Sequence, residues 1–419
     1  MASKTSSRAA AFHALMAWER THTFIDDSIT RWKAHAAPSK LDVDLAYELA
    51  CGTLRMQRYL DYQAKRVTAN HKLPAKLAEK VLLRLALYQW FFLDRMPPHA
   101  IVNEMVALSK ETASPHFARF INGLLRNIDR EHAQVPENLA DRYSYTDFFV
   151  EQLVQHYDQA RAEKILQAEN RPCPFMARLR CDPNAETRAL LKDAIQDGQM
   201  YVFEGSAPIG AIAASPSFYI QNKTQPYLLW QCAKRLEKPP KTILDMCAAP
   251  GGKTVLLHDL FPTSMLVAND VSPAKVALLQ ENLTKYGIAA RVHCGRGEEL
   301  QLQELQLEQR FDLIVVDAPC SNSGVLYKCP EARWRLQKQA INELTQQQFR
   351  LLQSAARLLA PGGRIWYSTC SILPEENEAL LEKIAPELGL ELDGEPVMVL
   401  PGEMQYGEGG GIFGLVARL

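Results

Sequence analysis

Residues 241–260 read KTILDMCAAPGGKTVLLHDL. The apolar residues before Asp245 predict a short buried strand, and those after Lys253 predict a helix. Open α/β sheets hold nucleotide-like ligands at such a junction, because glycine lets the backbone come close and the helix N-terminus favours an anionic group. The junction is not a P-loop, since Cys247 stands where that motif has its first glycine, and it lacks the G-x-G-x-x-G dinucleotide motif. We therefore predict a cofactor loop that starts from the carboxylate of Asp245.

Strands and helices alternate from residue 241 onward. The predicted strands are residues 243–246, 265–269, 290–294, 312–316 and 364–368. The clearest helices between them are residues 273–286 and 343–359, and residues 412–419 predict a final strand. Repeated strand–helix units imply a parallel sheet with right-handed crossovers, which binds its ligand at the carboxyl ends of the strands.

Two further motifs follow predicted strands, DAPCS at residues 317–321 and STCS at residues 368–371. Together with DMCAAPGGKT at residues 245–254, they resemble the motifs of the S-adenosylmethionine-dependent RNA cytosine-C5 methyltransferases. Any one of them alone could be an ordinary strand–helix turn or a buried thiol. Three of them at the ends of predicted strands favour the enzyme.

The resemblance implies that the loop after Asp245 wraps the methionine part of S-adenosylmethionine, and that Asp317 lies near the transferable methyl group. The loop residues are Cys247, Ala248, Ala249, Pro250, Gly251, Gly252 and Lys253. Asp270 ends the second predicted strand and could accept hydrogen bonds from both ribose hydroxyls. Its alternative role is to cap the next helix, for which Ser272 is better placed.

Three positions depart from the pattern of that family. Arg296 stands where an Asp would hold the adenine amino group, and an arginine cannot accept a hydrogen bond. Either Glu298 or Glu299 substitutes for that Asp, or adenine is held by stacking and apolar contacts. The other departures are Asn222, in place of an Asp, and Gly410 at the start of the segment GGIF.

Methylation of carbon-5 of cytosine needs a nucleophile that adds to carbon-6 and makes carbon-5 electron-rich. The resemblance implies that Cys370 is this nucleophile, that Cys320 assists release of the methylated product, and that Asp317 binds the N3 and amino edge of the base. Lys253 is a candidate for the cation that favours a thiolate. Both cysteines could instead be buried and unreactive, as most free cysteines are, and Cys247 is interpreted as structural. A buried thiol also requires that the target cytosine leave its stack.

Residues 4 to about 131 predict helices throughout. Apolar residues recur at three-and-four spacing in residues 41–67 and 73–94, and Ser114 precedes a further helix. This part resembles the NusB-like RNA-binding domain, on residues 47–55, 83–89, 98–104 and 120–126. Residues 1–130 carry 19 Lys and Arg against 12 Asp and Glu, although the whole chain has a net charge of −1. A basic front suits a phosphate backbone, but an ordinary solvated helical surface or a protein-docking bundle would also fit.

We therefore predict a multidomain chain. An all-α NusB-like helical bundle occupies residues 1–134, and a small α+β RNA-positioning subdomain occupies residues 135–235. An α/β class I (Rossmann-like) S-adenosylmethionine-dependent methyltransferase domain occupies residues 236–419. Residues 327–334 read YKCPEARW, in which Lys328, Arg333 and Trp334 could contact RNA or form an exposed structural loop.

The composition is that of a soluble globular protein, with 47% hydrophobic and 23% charged residues. No apolar run is long enough for a membrane span, and no signal peptide opens the chain. Nine cysteines without CxxC pairs predict neither a metal site nor a disulfide framework. We expect a cytoplasmic monomer that binds no metal and no membrane.

The chain as a whole resembles the Sun/Fmu type of bacterial 16S ribosomal RNA cytosine-C5 methyltransferases, which modify cytosine 967. The resemblance implies 16S rRNA as the partner and S-adenosyl-L-methionine as the cofactor. The first alternative is a cytosine-C5 methyltransferase of tRNA or of another rRNA site. The second is a non-catalytic RNA-binding or ribosome-assembly factor, which the departures at Arg296, Asn222 and Gly410 keep open. Cofactor binding would separate the second alternative from the enzymes.

Overall fold

The computed structural model describes residues 6–68, 71–128, 133–205 and 207–418. The chain forms two compact units. The helical unit consists of Met1–Glu151 with Lys328–Arg335, and the α/β unit consists of Gln152–Tyr327 with Leu336–Leu419. The three-domain boundaries proposed from the sequence stay a prediction. None of the helices in these described ranges is long and apolar enough to cross a membrane.

The helical unit is built from amphipathic helices around a nearly all-buried central one. In chain order they are α1 (Ser7–Thr21), α2 (Ile25–Ala36), α3 (Lys40–Arg55), α4 (Gln57–Val67), α5 (Leu77–Phe92), α6 (Pro98–Thr112), α7 (Pro115–Asn127) and α8 (Leu139–Tyr143). Residues 81–90 of α5 are apolar on several faces and almost all buried, because helices pack around them. Ser114 caps α7 by accepting a hydrogen bond from the amide of Phe117 at 3.1 Å, as the sequence predicts.

The segment Lys328–Arg335 is part of this helical unit although it lies late in the chain. Arg333 is fully buried, donates to the carbonyl of Ser144 at 3.2 Å and lies 3.9 Å over the ring of Tyr145. Trp334 packs against the helical core and donates its Nε1–H to the carbonyl of Leu54 at 2.9 Å. For Arg333, both alternatives from the sequence, a contact with RNA and a place in an exposed structural loop, are therefore wrong, since its guanidinium is buried among carbonyl groups and an aromatic ring.

The α/β unit contains the remaining elements. The helices are α9 (Asp147–Ala168, which starts in the helical unit), α10 (Ala185–Leu190), α11 (Ile209–Ala214), α12 (Thr224–Ala233), α13 (Gly252–Leu260), α14 (Pro273–Lys285), α15 (Pro330–Arg335, in the helical unit), α16 (Lys338–Leu358) and α17 (Glu378–Ile384). The strands are β1 (Phe175–Leu179), β2 (Ile195–Asp197), β3 (Met200–Phe203), β4 (Phe218–Ile220), β5 (Thr242–Asp245), β6 (Met265–Asp270), β7 (Ala290–Cys294), β8 (Phe311–Asp317), β9 (Leu359–Thr369), β10 (Leu390–Leu392), β11 (Val397–Val399) and β12 (Gly410–Ala417).

Two sheets organise this unit. The small one is antiparallel in the order β2-β3-β1-β4, and the large one runs β10-β12-β9-β8-β5-β6-β7, with β11 paired to β12. Strands β7, β6, β5, β8 and β9 are parallel, and β12 joins β9 antiparallel. All five predicted parallel strands and the final strand are therefore confirmed. The predicted fold class, a helical bundle followed in the chain by an α/β domain, is confirmed as well.

The topology places the site. Strand β5 lies between β6 and β8 in the sheet. The chain adds β6 and β7 on one side of β5 and then β8 and β9 on its other side, so the strand order reverses at β5. Ligands bind at such a switch point, outside the carboxyl ends of the strands. Asp245, Asp270, Asp317 and Thr369 end four of these neighbouring strands. Because the strands are parallel, the three carboxylates and the residue before Cys370 reach the same edge of the sheet.

Candidate functional site

The loop after β5 is held by backbone contacts with its neighbours. The amide of Met246 donates to the carbonyl of Val315 at 2.9 Å, and that of Ala248 donates to the carbonyl of Asn269 at 2.8 Å. Gly251 has φ of 110°, a conformation that favours glycine, and it directly precedes α13. The small residues of this loop therefore turn the chain sharply at the edge of the sheet, as the sequence predicts.

The side chain of Asp245 is buried beneath this loop. Its Oδ2 accepts the hydroxyl hydrogen of Thr254 at 2.6 Å, and its Oδ1 has no hydrogen-bond partner among the described residues. Burial raises the pKa of Asp245 to about 7. Asp245 is thus a structural carboxyl group under the loop.

Asp270 lies at the wall of the cavity described below and is 6% exposed. Its Oδ2 accepts from the amide of Ala249 at 3.2 Å, and its Oδ1 accepts from the amide of Ser272 at 3.3 Å. The helix cap is Ser272, whose hydroxyl accepts from Lys275. Asp270 is therefore not needed as the cap, and its carboxylate is oriented beside the cofactor loop.

Asn269 was not singled out by sequence reasoning. Its Nδ2 donates to the carbonyls of Met246 and Gly295, both at 3.0 Å, and its Oδ1 is 2.8 Å from Nδ1 of His293. One buried amide thus ties together the loops that follow β5 and β7. An asparagine inside a predicted strand was the available signal, because such a polar residue is buried only when it is hydrogen-bonded.

A cavity of about 560 Å³ opens at this edge of the sheet. Seven predicted site residues line it: Cys247, Ala249, Asp270, Arg296, Asp317, Cys320 and Cys370. Of the described residues assigned to the cofactor, Ala248, Pro250, Gly251, Gly252 and Lys253 do not line it. The volume is within the range of small-molecule sites, about 300–1,000 Å³.

Arg296 is in the wall of this cavity but points partly to solvent. Its side chain is 57% exposed and pairs with Glu299 at 3.2 Å and more weakly with Glu298 at 3.9 Å. Glu298 lines the cavity, is only 9% exposed and accepts from Nε2 of Gln347 at 3.1 Å. Of the two acidic substitutes that the sequence offers, Glu298 has the position from which a ligand in the cavity can be reached.

The residues of the cavity fit a nucleoside cofactor. Asp270 supplies a carboxylate acceptor for a ribose diol, and Glu298 supplies a second acceptor for an amino group. Among the described residues, no three His, Cys, Asp or Glu side chains form a group that could hold a metal ion.

The two predicted catalytic cysteines meet at the wall of this cavity. The Sγ atoms of Cys320 and Cys370 are 3.0 Å apart, and both side chains are free thiols. The Cys370 thiol also lies 2.9 Å from Oδ1 of Asn322, a residue with φ of 58°. The hydrogen bond with Cys320 and burial raise the pKa of Cys370, while the nearby Lys253 ammonium lowers it.

Lys253 reaches across from the cofactor loop to the end of β8. Its Nζ is 2.6 Å from Oδ2 of Asp317, and the lysine side chain is only 11% exposed. Asp317 and Cys370 both line the cavity. The ion pair therefore places one cation and one carboxylate beside the nucleophile candidate.

Glu376 holds the loops of both cysteines, and sequence reasoning missed it. It is fully buried and accepts from the amide of Ser321 at 2.8 Å, from the hydroxyl of Ser371 at 2.6 Å and from Nε2 of Gln348 at 3.1 Å. The hydroxyl of Ser321 also donates to Glu376. Ser321 follows Cys320 and Ser371 follows Cys370, so one carboxylate fixes the backbone next to both thiols.

Three backbone segments meet behind Cys370. The amide of Gly324 donates to the carbonyl of Cys370 at 2.9 Å, and the amide of Gly409 donates to the carbonyl of Gly324 at 2.7 Å. A Cβ on Gly410 would lie 2.7 Å from the carbonyl oxygen of Thr369, which is too close for any side chain. Two backbone segments lie very close together at the start of β12. This closeness explains why glycine stands at position 410, where the pattern of the family has another residue.

Asn222, another departure, is a structural residue of the α/β unit. Its Nδ2 donates to the carbonyl of Tyr406 at 2.9 Å, and its Oδ1 accepts from the amides of Thr224 at 3.0 Å and Glu408 at 3.4 Å. An aspartate could accept but could not donate. The asparagine is therefore matched to the loop that precedes β12.

Comparisons with known proteins agree with this architecture. The profile of the 16S rRNA methyltransferase RsmB/F family matches residues 236–390, and that of the NusB family matches residues 5–130. The chain is 30% identical to ribosomal RNA small subunit methyltransferase B of Escherichia coli (strain K12), over 83% of each chain. It is 29% identical to the protein of the same name from Klebsiella pneumoniae (strain 342), over 90% of each. The crystal structure of PH0851 is similar in fold, with a TM-score of 0.76 and 20% identity over 98% of each chain.

Proposed function

Since the chain belongs to the 16S rRNA methyltransferase RsmB/F family, we propose that it methylates carbon-5 of a cytosine in 16S rRNA. The observation that carries the proposal is the pair of thiols of Cys320 and Cys370, 3.0 Å apart at the wall of a nucleoside-sized cavity. A methyltransferase that acts on a nitrogen or an oxygen needs no thiol nucleophile. Two thiols beside a carboxylate match the addition and elimination that carbon-5 chemistry requires.

Asp270 and Glu298 would hold the ribose and the adenine amino group of S-adenosylmethionine, and Cys247 and Ala249, the two residues of the loop that line the cavity, would contact its methionine part. The cofactor supplies an electrophilic methyl group. The acceptors of the cavity are ready without rearrangement, since backbone amides already orient Asp270. Arg296 stays outside this set, because its side chain is paired with Glu299.

Cys370 provides the nucleophile. Its Sγ forms a bond to carbon-6 of the cytosine, the electron pair of the C5–C6 double bond moves into the C4–C5 bond, and the pair of the C4–N3 double bond moves to N3. The proton that leaves the thiol ends on N3 of the base, passed through the carboxylate of Asp317. Lys253 stabilises the thiolate as it forms and holds Asp317 in place through the 2.6 Å ion pair.

Cys320 completes the cycle. Carbon-5 takes the methyl group as the bond between that group and the sulfonium breaks, and the Cys320 thiol releases its proton to solvent. The Cys320 thiolate then takes the proton of carbon-5, the C5–C6 double bond returns, and the bond between Cys370 Sγ and carbon-6 breaks. Cys320 passes this proton to the Cys370 thiolate and takes the proton of N3, so both cysteines end as thiols. The contact at 3.0 Å allows the two sulfur atoms to exchange protons directly.

The target cytosine has to leave its stack, because Cys370 lies in the wall of a cavity that a base paired in a helix cannot enter. We propose cytosine 967 of 16S rRNA as this target, supported by the combination of a NusB-like front with the RsmB/F profile. A cytosine elsewhere in rRNA or in tRNA is the second candidate. A non-catalytic assembly factor would have no chemical need for two adjoining thiols.

The test is transfer of labelled methyl from S-adenosylmethionine to a 16S rRNA transcript, with the modified base mapped by bisulfite sequencing. The native chain should label one cytosine, Cys370→Ala should label none, and Cys320→Ala should accumulate a protein–RNA adduct that survives denaturation. Cys181→Ala is the matched control, since Cys181 is exposed and outside the cavity. Unchanged labelling by Cys370→Ala would overturn the mechanism, and labelling of a different cytosine would overturn the target.

A further inference from the structure

The α/β unit has a second cavity, of about 430 Å³, that none of the steps above uses. Tyr327, Met404 and Tyr406 are among the side chains that line it, with Glu169 and Arg171. We propose that this cavity binds a nucleobase of the RNA substrate that flanks the target cytosine. The inference rests on the proposed function, because it assumes that RNA is the substrate.

The backbone places this cavity beside the two cysteine loops. One wall, Val325 with Tyr327, follows Cys320 by a few residues, and the other wall ends at Glu408, next to Gly409. Gly409 bonds to Gly324, and Gly324 bonds to the carbonyl of Cys370. A Cβ on Gly324 would lie 2.7 Å from the backbone of Gly409, so these segments are in direct contact. These two backbone hydrogen bonds connect the walls of the second cavity to the backbone of the nucleophile.

The side chains that line the second cavity are suited to contact the apolar face of a nucleobase. Two tyrosines, a methionine and prolines make the cavity mostly apolar, and Arg171 is exposed at its edge. RNA-binding proteins take up unstacked bases on aromatic side chains, and every base has an apolar face that such a site accepts. The volume is also within the small-molecule range. An arginine at the rim can meet the phosphate that accompanies the base.

The cavity is formed before any ligand enters. Glu169, 3% exposed, accepts from the amide of Tyr327 at 2.9 Å and so fixes the first wall. Asn222 fixes the second wall through the carbonyl of Tyr406 and the amide of Glu408. Preformed walls reduce the entropy lost on binding. Asn222 thereby contributes to the RNA site, although it touches no reacting atom.

The experiment couples a change in the protein to a change in the RNA. Methyl transfer is measured on a series of 16S rRNA fragments, each with one abasic nucleotide near the target, for the native chain and for Met404→Trp, whose larger side chain fills the cavity. One abasic position should raise the KM of the native chain for RNA at least tenfold, with kcat changed less than twofold. Met404→Trp should raise the KM for intact RNA by a similar factor and lose all sensitivity to that abasic position.

Controls separate this inference from the proposed function. Leu392→Trp adds the same side chain at an exposed site of β10 and should behave as the native chain. The affinity of Met404→Trp for the cofactor shows whether this variant is folded. If Met404→Trp is not folded, Tyr406→Ala is measured on the same series of abasic RNA fragments. Abasic effects of equal size in the native chain and the cavity variant, or no sensitive position at all, would overturn the nucleobase site. No methyl transfer by the native chain to any RNA would instead overturn the proposed function.

Discussion

The Sγ atoms of Cys320 and Cys370 lie 3.0 Å apart although fifty positions separate the two residues in the chain. Parallel strands β8 and β9 are neighbours in the sheet, so the loops that follow them start from the same edge. The two thiols share one environment, and the hydrogen bond with Cys320 raises the pKa of Cys370.

Replacing Cys320 should therefore make Cys370 more reactive in the absence of RNA. The hydrogen bond with Cys320 is the largest cause of the raised pKa of Cys370, so Cys320→Ala should lower that pKa and increase the thiolate fraction at a given pH. Alkylation of Cys370 by iodoacetamide, followed by peptide mass spectrometry between pH 7 and 10, measures this. The alkylation profile should move to lower pH, with Cys232→Ala as the control. A profile that stays in place or moves to higher pH would contradict the coupling.

Lys253→Met should have the opposite effect on the same thiol. The Lys253 ammonium lowers the pKa of Cys370, so without this charge the pKa rises and a higher pH is needed to form the thiolate. We expect the rate of methyl transfer at pH 7 to fall by about 10- to 1,000-fold, as when a general acid–base or charge contact is lost. The rising limb of the plot of kcat against pH should move to higher pH. Lys253→Arg, which keeps the charge, should recover part of the rate. An unchanged pH profile in Lys253→Met would show that the lysine has no electrostatic role.

Glu376→Gln should impair catalysis without blocking cofactor binding. A glutamine has one acceptor oxygen where Glu376 accepts from Ser321, Ser371 and Gln348, so buried donors would lose their partners. Each such loss costs about 1–3 kcal/mol, and both cysteine loops would shift. We expect kcat to fall at least tenfold and the Kd of the cofactor to change less than threefold. Glu375→Gln, at the partly exposed neighbouring position, should keep its rate. A normal kcat in Glu376→Gln would rule out the positioning role.

Cofactor affinity should depend on Asp270 and Glu298 more than on Arg296. Hydrogen bonds to charged groups contribute about 1.5–3 kcal/mol, which corresponds to roughly a 10- to 150-fold change in Kd. Asp270→Asn and Glu298→Gln should each weaken S-adenosylmethionine binding within this range, as measured by isothermal titration calorimetry. Arg296→Ala should change the Kd less than threefold, because its side chain is 57% exposed and paired with Glu299. A larger loss in Arg296→Ala than in Glu298→Gln would reverse this assignment.

Arg333→Met should destabilise the protein although Arg333 does not line the cavity that holds the two thiols. The guanidinium donates to the carbonyl of Ser144 and lies over the ring of Tyr145, and a methionine leaves that buried carbonyl without this donor. We expect a loss of about 2–4 kcal/mol in the free energy of unfolding, from the hydrogen bonds and the desolvated cation–π contact. Urea denaturation measures it. Arg335→Met is the comparison, since Arg335 is exposed over Phe24 and should lose at most about 1 kcal/mol.

Much of the α/β unit could be predicted because its signals are local. Strand β8 contains a continuous apolar run at residues 313–316, which is the pattern of parallel strands buried on both faces. The cofactor loop is recognisable because proline restricts the backbone at one position and glycine allows a positive φ at the next. Helix α14 starts where Ser272 and Pro273 predict it.

The roles of Glu376 and Asn269 could not be predicted in the same way. Glu376 is one of two adjacent glutamates in the sequence, and only folding makes it fully buried while Glu375 stays partly exposed. Arg333 was misjudged for a related reason, because an arginine next to a tryptophan looks like an RNA contact. Its burial depends on residues nearly two hundred positions away, such as Ser144.

Chain-local chemistry thus determined the order of strands and helices and the turn after Asp245, since periodicity and backbone restriction act over a few residues. The roles of the two thiols were predicted from the resemblance of their motifs. Tertiary packing determined which carboxylate holds the cysteine loops, why Asn222 and Gly410 stand where they do, and how close the two sulfur atoms are. Those properties depend on contacts between segments that are far apart in the chain. Burial changes the energy of a charge or a thiol, and burial exists only after the sheet has brought its edges together.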